Sequence, residues 1–144
     1  LSQLLYSTPK DEPSFSVAVN TPTPTPAVPE AVELFNQGHT LVELRRYDEA
    51  IALIDKVLQL QPNYPEAWVK RGEALLELQK NDEALKAFDE ALKLKLDYAR
   101  AWYGRSKVLD KMQRHEEALA ALNKALEIQP EDATAWYSQG TVLE

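Results

Sequence analysis

The sequence predicts an all-α solenoid, a stack of antiparallel helix pairs, led by an extended proline-rich arm. Three observations carry the prediction. Tryptophan recurs at Trp68, Trp102 and Trp136, each 34 residues after the last. From Glu30 onward the apolar residues take a helical spacing. Six of the nine prolines, and none of the four glycines, fall in the first 29 residues.

The arm comprises residues 1–29. Its run Thr21-Pro22-Thr23-Pro24-Thr25-Pro26 alternates proline. Proline fixes φ and pushes the residue before it to extended geometry, so the run reads as semi-rigid polyproline II. Phe15 to Val19 reads as a short extended segment. Three roles stay open for the arm. It is a plain linker, a threonine-phosphorylated or proline-ligand segment, or an arm that docks. In the last case Leu4, Leu5, Tyr6, Phe15, Val17 and Val19 are its anchors, in the groove of the same or a neighbouring chain.

The period fixes the units that follow. Gly38, Gly72 and Gly140 share one slot, with Ser106 filling the gap in the series. Ala50, Ala84 and Ala118 share another, and Val57, Ala91 and Ala125 a third. Pro62 and Pro130 close two units, with Leu96 in the corresponding place between them. Full units then run 31–64, 65–98 and 99–132, and 133–144 is the first helix of a fourth. Each unit is helix, tight turn, helix. Small residues at Gly72, Ala84 and Ala91 let two helices approach, while Trp68, Leu75, Leu85, Phe88 and Leu92 fill the space between units. One pair cannot bury its own apolar face, so stacking supplies the core. Second helices begin with Asp48-Glu49, Asp82-Glu83 and Glu116-Glu117, acidic pairs suited to the positive end of the helix dipole. The tryptophans therefore read as packing residues, not as ligand platforms.

The run Trp68…Gly72…Ala84-x-x-x-Phe88-x-x-Ala91 resembles the tetratricopeptide repeat, a family of 34-residue units with this Trp, Gly and Ala-x-x-x-Phe spacing. The resemblance covers roughly four fifths of the chain. One departure stands out. The turns carry Arg45, Gln79 and Gln113 where the family usually has glycine, so they are expected to form but to be less relaxed. The resemblance implies a right-handed superhelix whose concave face is lined by the first helix of each pair and receives partners.

With Trp68 on the packing side, the 3.6-residue period turns positions one, five and eight further along toward that groove. These are Phe35, His39 and Val42, then Val69, Glu73 and Leu76, then Tyr103, Lys107 and Asp110, and finally Tyr137 and Thr141. Asn36, Lys70, Gly104 and Ser138 add to the rim. Phe35, Val69, Tyr103 and Tyr137 form an apolar-to-aromatic ladder, and tyrosine offers contact area and a hydrogen bond at low entropic cost. Gly104 is expected to open a dent beside Tyr103. Lys70 and Lys107 stand against Glu73, Glu77 and Asp110, which suits a partner with an apolar centre and no strong net charge.

The resemblance also allows a test for one sub-class. Chaperone-binding members clamp a terminal carboxylate with Lys, Asn and Arg. The matching positions hold Phe35, His39, Lys70, Arg100 and Gly104, of which only Arg100 fits. Shifted by one unit they hold Val69, Glu73, Gly104, Thr134 and Ser138, which fit no better. A carboxylate-clamp chaperone binder is not expected.

Composition narrows the remaining classes. The 144 residues carry a formal net charge of −7 and no cysteine. The acidic balance argues against nucleic acid and against an anionic membrane surface. Without cysteine there is no disulfide and no thiol chemistry, which fits a reducing, cytoplasmic setting. No apolar run approaches bilayer-spanning length. His39 and His115 sit in different units with no metal-binding spacing, so neither a metal nor any other cofactor is expected. His115 fills the slot of Tyr47 and reads as packing at a turn. The acidic pairs recur with the repeat and are structural, so no enzyme is expected. The chain reads as part of a longer protein, in which this domain is a scaffold that binds a peptide or partner segment. Two rivals remain. One is self-association through the arm or through an exposed face of the last helix. The other is a regulatory domain of an upstream enzyme, with the arm occluding the groove.

Overall fold

A computed structural model describes residues 27–132. The arm up to residue 26 and the segment 133–144, with Tyr137 and Thr141, lie outside the described residues. Six α-helices follow one another: α1 Pro29–Glu43, α2 Tyr47–Leu60, α3 Pro65–Glu77, α4 Asn81–Leu94, α5 Ala99–Lys111 and α6 His115–Ile128. A 3-10 turn, Pro130–Asp132, closes the described chain. No strand occurs among the described residues. The expected all-α solenoid is the fold.

The local sequence explains each boundary. Pro29 and Pro65 open α1 and α3 at a position whose N–H has no helical partner. The acidic pairs sit in the first turns of α2, α4 and α6. The first helix of each pair ends in a Schellman turn. Arg45 N–H bonds Val42 O and Arg46 N–H bonds Leu41 O, with the same pattern at Gln79/Lys80 and Gln113/Arg114. That turn needs a left-handed residue, and Arg45, Gln79 and Gln113 supply it at φ 62°, 63° and 65°. A side chain in this conformation costs roughly 1 kcal/mol, which is the less relaxed turn the sequence predicts.

Each helix packs antiparallel on its partner, and each second helix packs on the first helix of the next pair. First helices also touch one another directly, α1 on α3 and α3 on α5. They therefore line the inner, more tightly curved side. The central cluster is built on Phe88, fully buried with Ala84, Ala91, Leu75 and Val108. The Phe88 ring lies between two glycines. A β-carbon at Gly72 would approach its Cζ to 2.8 Å, and one at Gly104 would fall inside its van der Waals envelope. The expected dent at Gly104 is thus absent, because Phe88 fills it from below.

Trp68 and Trp102 are packing residues, as expected. Their indole N–H groups donate to Pro62 O (3.2 Å) and Leu96 O (2.8 Å), so the loop carbonyl matters and the proline ring does not. Asp55–Arg71 and Asp89–Arg105, both 2.7 Å, tie each second helix to the following first helix. Gln61 is buried and accepts the Val28 N–H at 2.9 Å, which anchors the entry to α1.

The end face of α1 differs from its counterparts. Glu33, Asn36 and Thr40 are exposed there, whereas the matching Ala67, Lys70 and Ala74 of α3 and Ala101, Gly104 and Val108 of α5 are buried. Polar side chains on a terminal repeat keep that end solvated.

Candidate inner-face groove

The inner face starts at α1. Phe35, half-buried, tilts against Tyr64 with ring centroids 4.9 Å apart, and against His39 at 6.4 Å. His39 is exposed and stands 3.9 Å from Glu43. Burial, then the Glu66 charge, raises the Tyr64 phenol above its ordinary value. Asn36 belongs instead to the α1 end face, beside Val32, Glu33 and Thr40. Sequence spacing alone could not separate these two faces.

The α3–α5 seam holds the densest chemistry. Glu73 Oε1 meets Lys70 Nζ at 3.1 Å, and Glu73 Oε2 accepts from Arg100 Nε at 2.7 Å. Burial pushes the Glu73 carboxyl up, but the Arg100 hydrogen bond and charge and the Lys70 charge outweigh it, leaving it below the usual range. The Glu73 hydrogen bond holds the Arg100 guanidinium more firmly protonated, with a smaller contribution from Glu43. Lys70, only 8% exposed at its side chain, buries its stem and keeps its ammonium on Glu73. Val69 does not reach the groove. At 1% exposure it belongs to the central cluster and offers a partner no surface. Leu76 is likewise buried, at 6%.

Tyr98 and α5 complete the surface. Burial, then Glu66, pushes the Tyr98 phenol up to about 12. Lys95 Nζ lies 4.7 Å from its ring centroid. Tyr103 is half-buried, its phenol raised by burial, and Lys107 Nζ lies 5.4 Å from its ring centroid. Such cation–π pairs hold a long side chain along an aromatic face. Asp110, 14% exposed at its side chain, bonds His115 Nδ1 at 2.8 Å, and His115 Nε2 meets Gln113 Oε1 at 3.2 Å. His115 is thus an exposed polar clasp across the turn, not the packed aromatic its slot implied.

The structure therefore gathers Phe35, His39, Lys70, Glu73, Tyr103 and Lys107 along the inner side and leaves Val69 and Asn36 out. Sequence reasoning missed Tyr64 and Tyr98, although they share one slot of the period, immediately before a first helix. Among the described residues no three His, Cys, Asp or Glu side chains converge to hold a metal. Among them, too, no helix is long and apolar enough to cross a membrane.

A family model described as tetratricopeptide repeat matches residues 35–95, 70–133 and 103–144. No curated protein matches the chain. Among solved structures, the first repeat domain of Spaghetti (RPAP3), bound to the HSP90 peptide SRMEEVD, is 28% identical with a TM-score of 0.68, covering 69% of this chain and 79% of that one. MamA from Desulfovibrio magneticus RS-1 is 30% identical with a TM-score of 0.65, over 70% of this chain and 57% of that one. The chain thus spans little more than half of that protein's solved length. The Arabidopsis OM64 repeat domain, TM-score 0.74 over 81% of this chain and 97% of its own, shares the fold at 18% identity.

Proposed function

Because the chain belongs to the tetratricopeptide-repeat family, whose fold is a protein–protein interaction scaffold, we propose that its inner groove binds a partner protein or peptide segment. The observation that supports this reading is the line of half-buried aromatic rings along the inner side, Phe35, Tyr64, Tyr98 and Tyr103. Each keeps part of its surface open, and the three tyrosines lie beside a charged group. Buried anchors ringed by polar contacts are the kind of surface on which binding energy concentrates. The family and its structural neighbours are in general non-enzymatic scaffolds. The domain's contribution is accordingly to hold a partner.

The partner is not a chaperone tail held by a carboxylate clamp. Phe35 and Gly104 stand where such a clamp places polar and basic groups, and Phe88 beneath Gly104 leaves no room to restore one. Capture from source-cell lysate tests the reading, with the full chain as bait against the double variant Tyr103→Ala, Lys107→Glu, its helicity first checked by circular dichroism. A protein held by the native chain and lost from the variant supports the groove. Equal capture by both overturns it.

A further inference from the structure

We infer that Glu73 occupies the groove's anion seat from within the chain, and that it selects against acidic partners in favour of neutral or basic segments. This rests on the reading of the inner face as a binding surface. The seat itself is defined by geometry. Lys70 and Arg100 come from different helices and converge on one carboxylate, each of whose oxygens takes one cation. The Glu73 side chain is 26% exposed, so the seat opens to the groove and is not closed inside the core.

The matching positions of the other units carry His39 and Lys107, so no second carboxylate repeats the arrangement among the described residues. Nor is it required by the fold. The Asp55–Arg71 and Asp89–Arg105 ties recur with the period and already join successive pairs. The Glu73 contacts do not recur.

An incoming carboxylate meets a seat already filled. Glu43 acts on Arg100, and Glu66 on Tyr98 beside it. Two carboxylates, Glu43 and Glu73, thus already stand against two cations, Lys70 and Arg100, and the seat's charges are balanced before any partner arrives. A partner carboxylate has either to displace Glu73 or to sit against like charge, and like-charge juxtaposition across an interface is strongly unfavourable. A neutral or basic segment meets neither obstacle.

Glu73→Gln keeps the shape and removes the charge. Two probes separate the possibilities. Inorganic phosphate, followed by NMR at residues 70 and 100 of the full chain, reads the seat alone. Fluorescence polarisation with the acidic peptide SRMEEVD and its amide counterpart SRMQQVN, which keeps the arginine and has no acidic side chain, reads selection in the groove. The variant should show phosphate shifts that the native chain lacks, and should bind the acidic peptide roughly tenfold tighter than the native chain does, with SRMQQVN binding no tighter than before. No phosphate shift in Glu73→Gln, or a native chain that already prefers the acidic peptide, overturns the inference. A phosphate shift with no binding of either peptide to either protein leaves the seat standing and fails the groove reading instead. If Glu73→Gln loses helicity, Glu73→Ala carries the same test.

Discussion

The seam between the first two helix pairs and the seam between the second and third use the same positions with opposite contents. At the first, the buried core residue is Ile54, lying against Gly38, and the position 34 residues before Gly104 carries Lys70. At the second, the core residue is Phe88, and the groove position above it is Gly104, whose hydrogen faces the ring. The difference teaches how packing reaches the binding surface. A branched aliphatic residue leaves room for a long side chain overhead, and that side chain brings a cation to the inner face. An aromatic ring takes the same room and leaves bare backbone. The charge pattern of the groove is thus set in part by the volume of residues beneath it.

The largest expected effect is at the second seam. Phe88→Ala removes a fully buried ring from the central cluster and should cost about 3–5 kcal/mol in chemical denaturation. A loss below about 1 kcal/mol would mean that the seam collapses freely and that Phe88 is not what Gly104 accommodates. A sharper test is the cycle with Gly104→Ala. With Phe88 in place the added methyl is overpacked and should destabilise by about 1–3 kcal/mol. In a Phe88→Ile background the same change should become neutral, or stabilise by up to about 1 kcal/mol through helix propensity. Equal effects in both backgrounds would break the comparison.

Not all of this was legible in advance. The period exposed the units and the packing residues, because stacking requires small and large side chains at the same places in every unit. Trp68, Gly72, Ala84 and Phe88 could be read directly for that reason. The groove was read less well, because its exposure depends on the neighbouring helix. Val69 points by period toward the inner side and is covered there. Gly104 reads as a dent only until Phe88, sixteen residues earlier, is placed beneath it. Glu73 and Arg100 are 27 residues apart and meet across a seam, with no periodic signal to announce them.

Two smaller effects separate what repeats from what does not. The left-handed turn residues recur in all three described units, so Gln79→Gly should raise stability by about 1 kcal/mol in thermal or chemical unfolding. Gln113→Gly should match it, and a loss at either turn would show that the side chain contributes more than its conformation costs. The Glu73 cluster does not recur, and its signature is pH. The folded carboxyl lies below its ordinary value of 4.5, so its contribution to stability is present above that pH and is lost as pH falls through the lower folded value. Glu73→Gln should flatten this acid limb, whereas removing the repeated Asp89–Arg105 tie should leave the Glu73 share of it in place.

The most direct measurement places a photo-crosslinking side chain at Tyr103 on the inner face and, in a second protein, at Leu119, an exposed residue of α6, a second helix. Each full chain is irradiated in source-cell extract. A partner-binding inner groove predicts one discrete adduct from position 103, suppressed by excess unmodified chain, and none from position 119. Adducts from position 119 alone, or a diffuse smear from both, would contradict it.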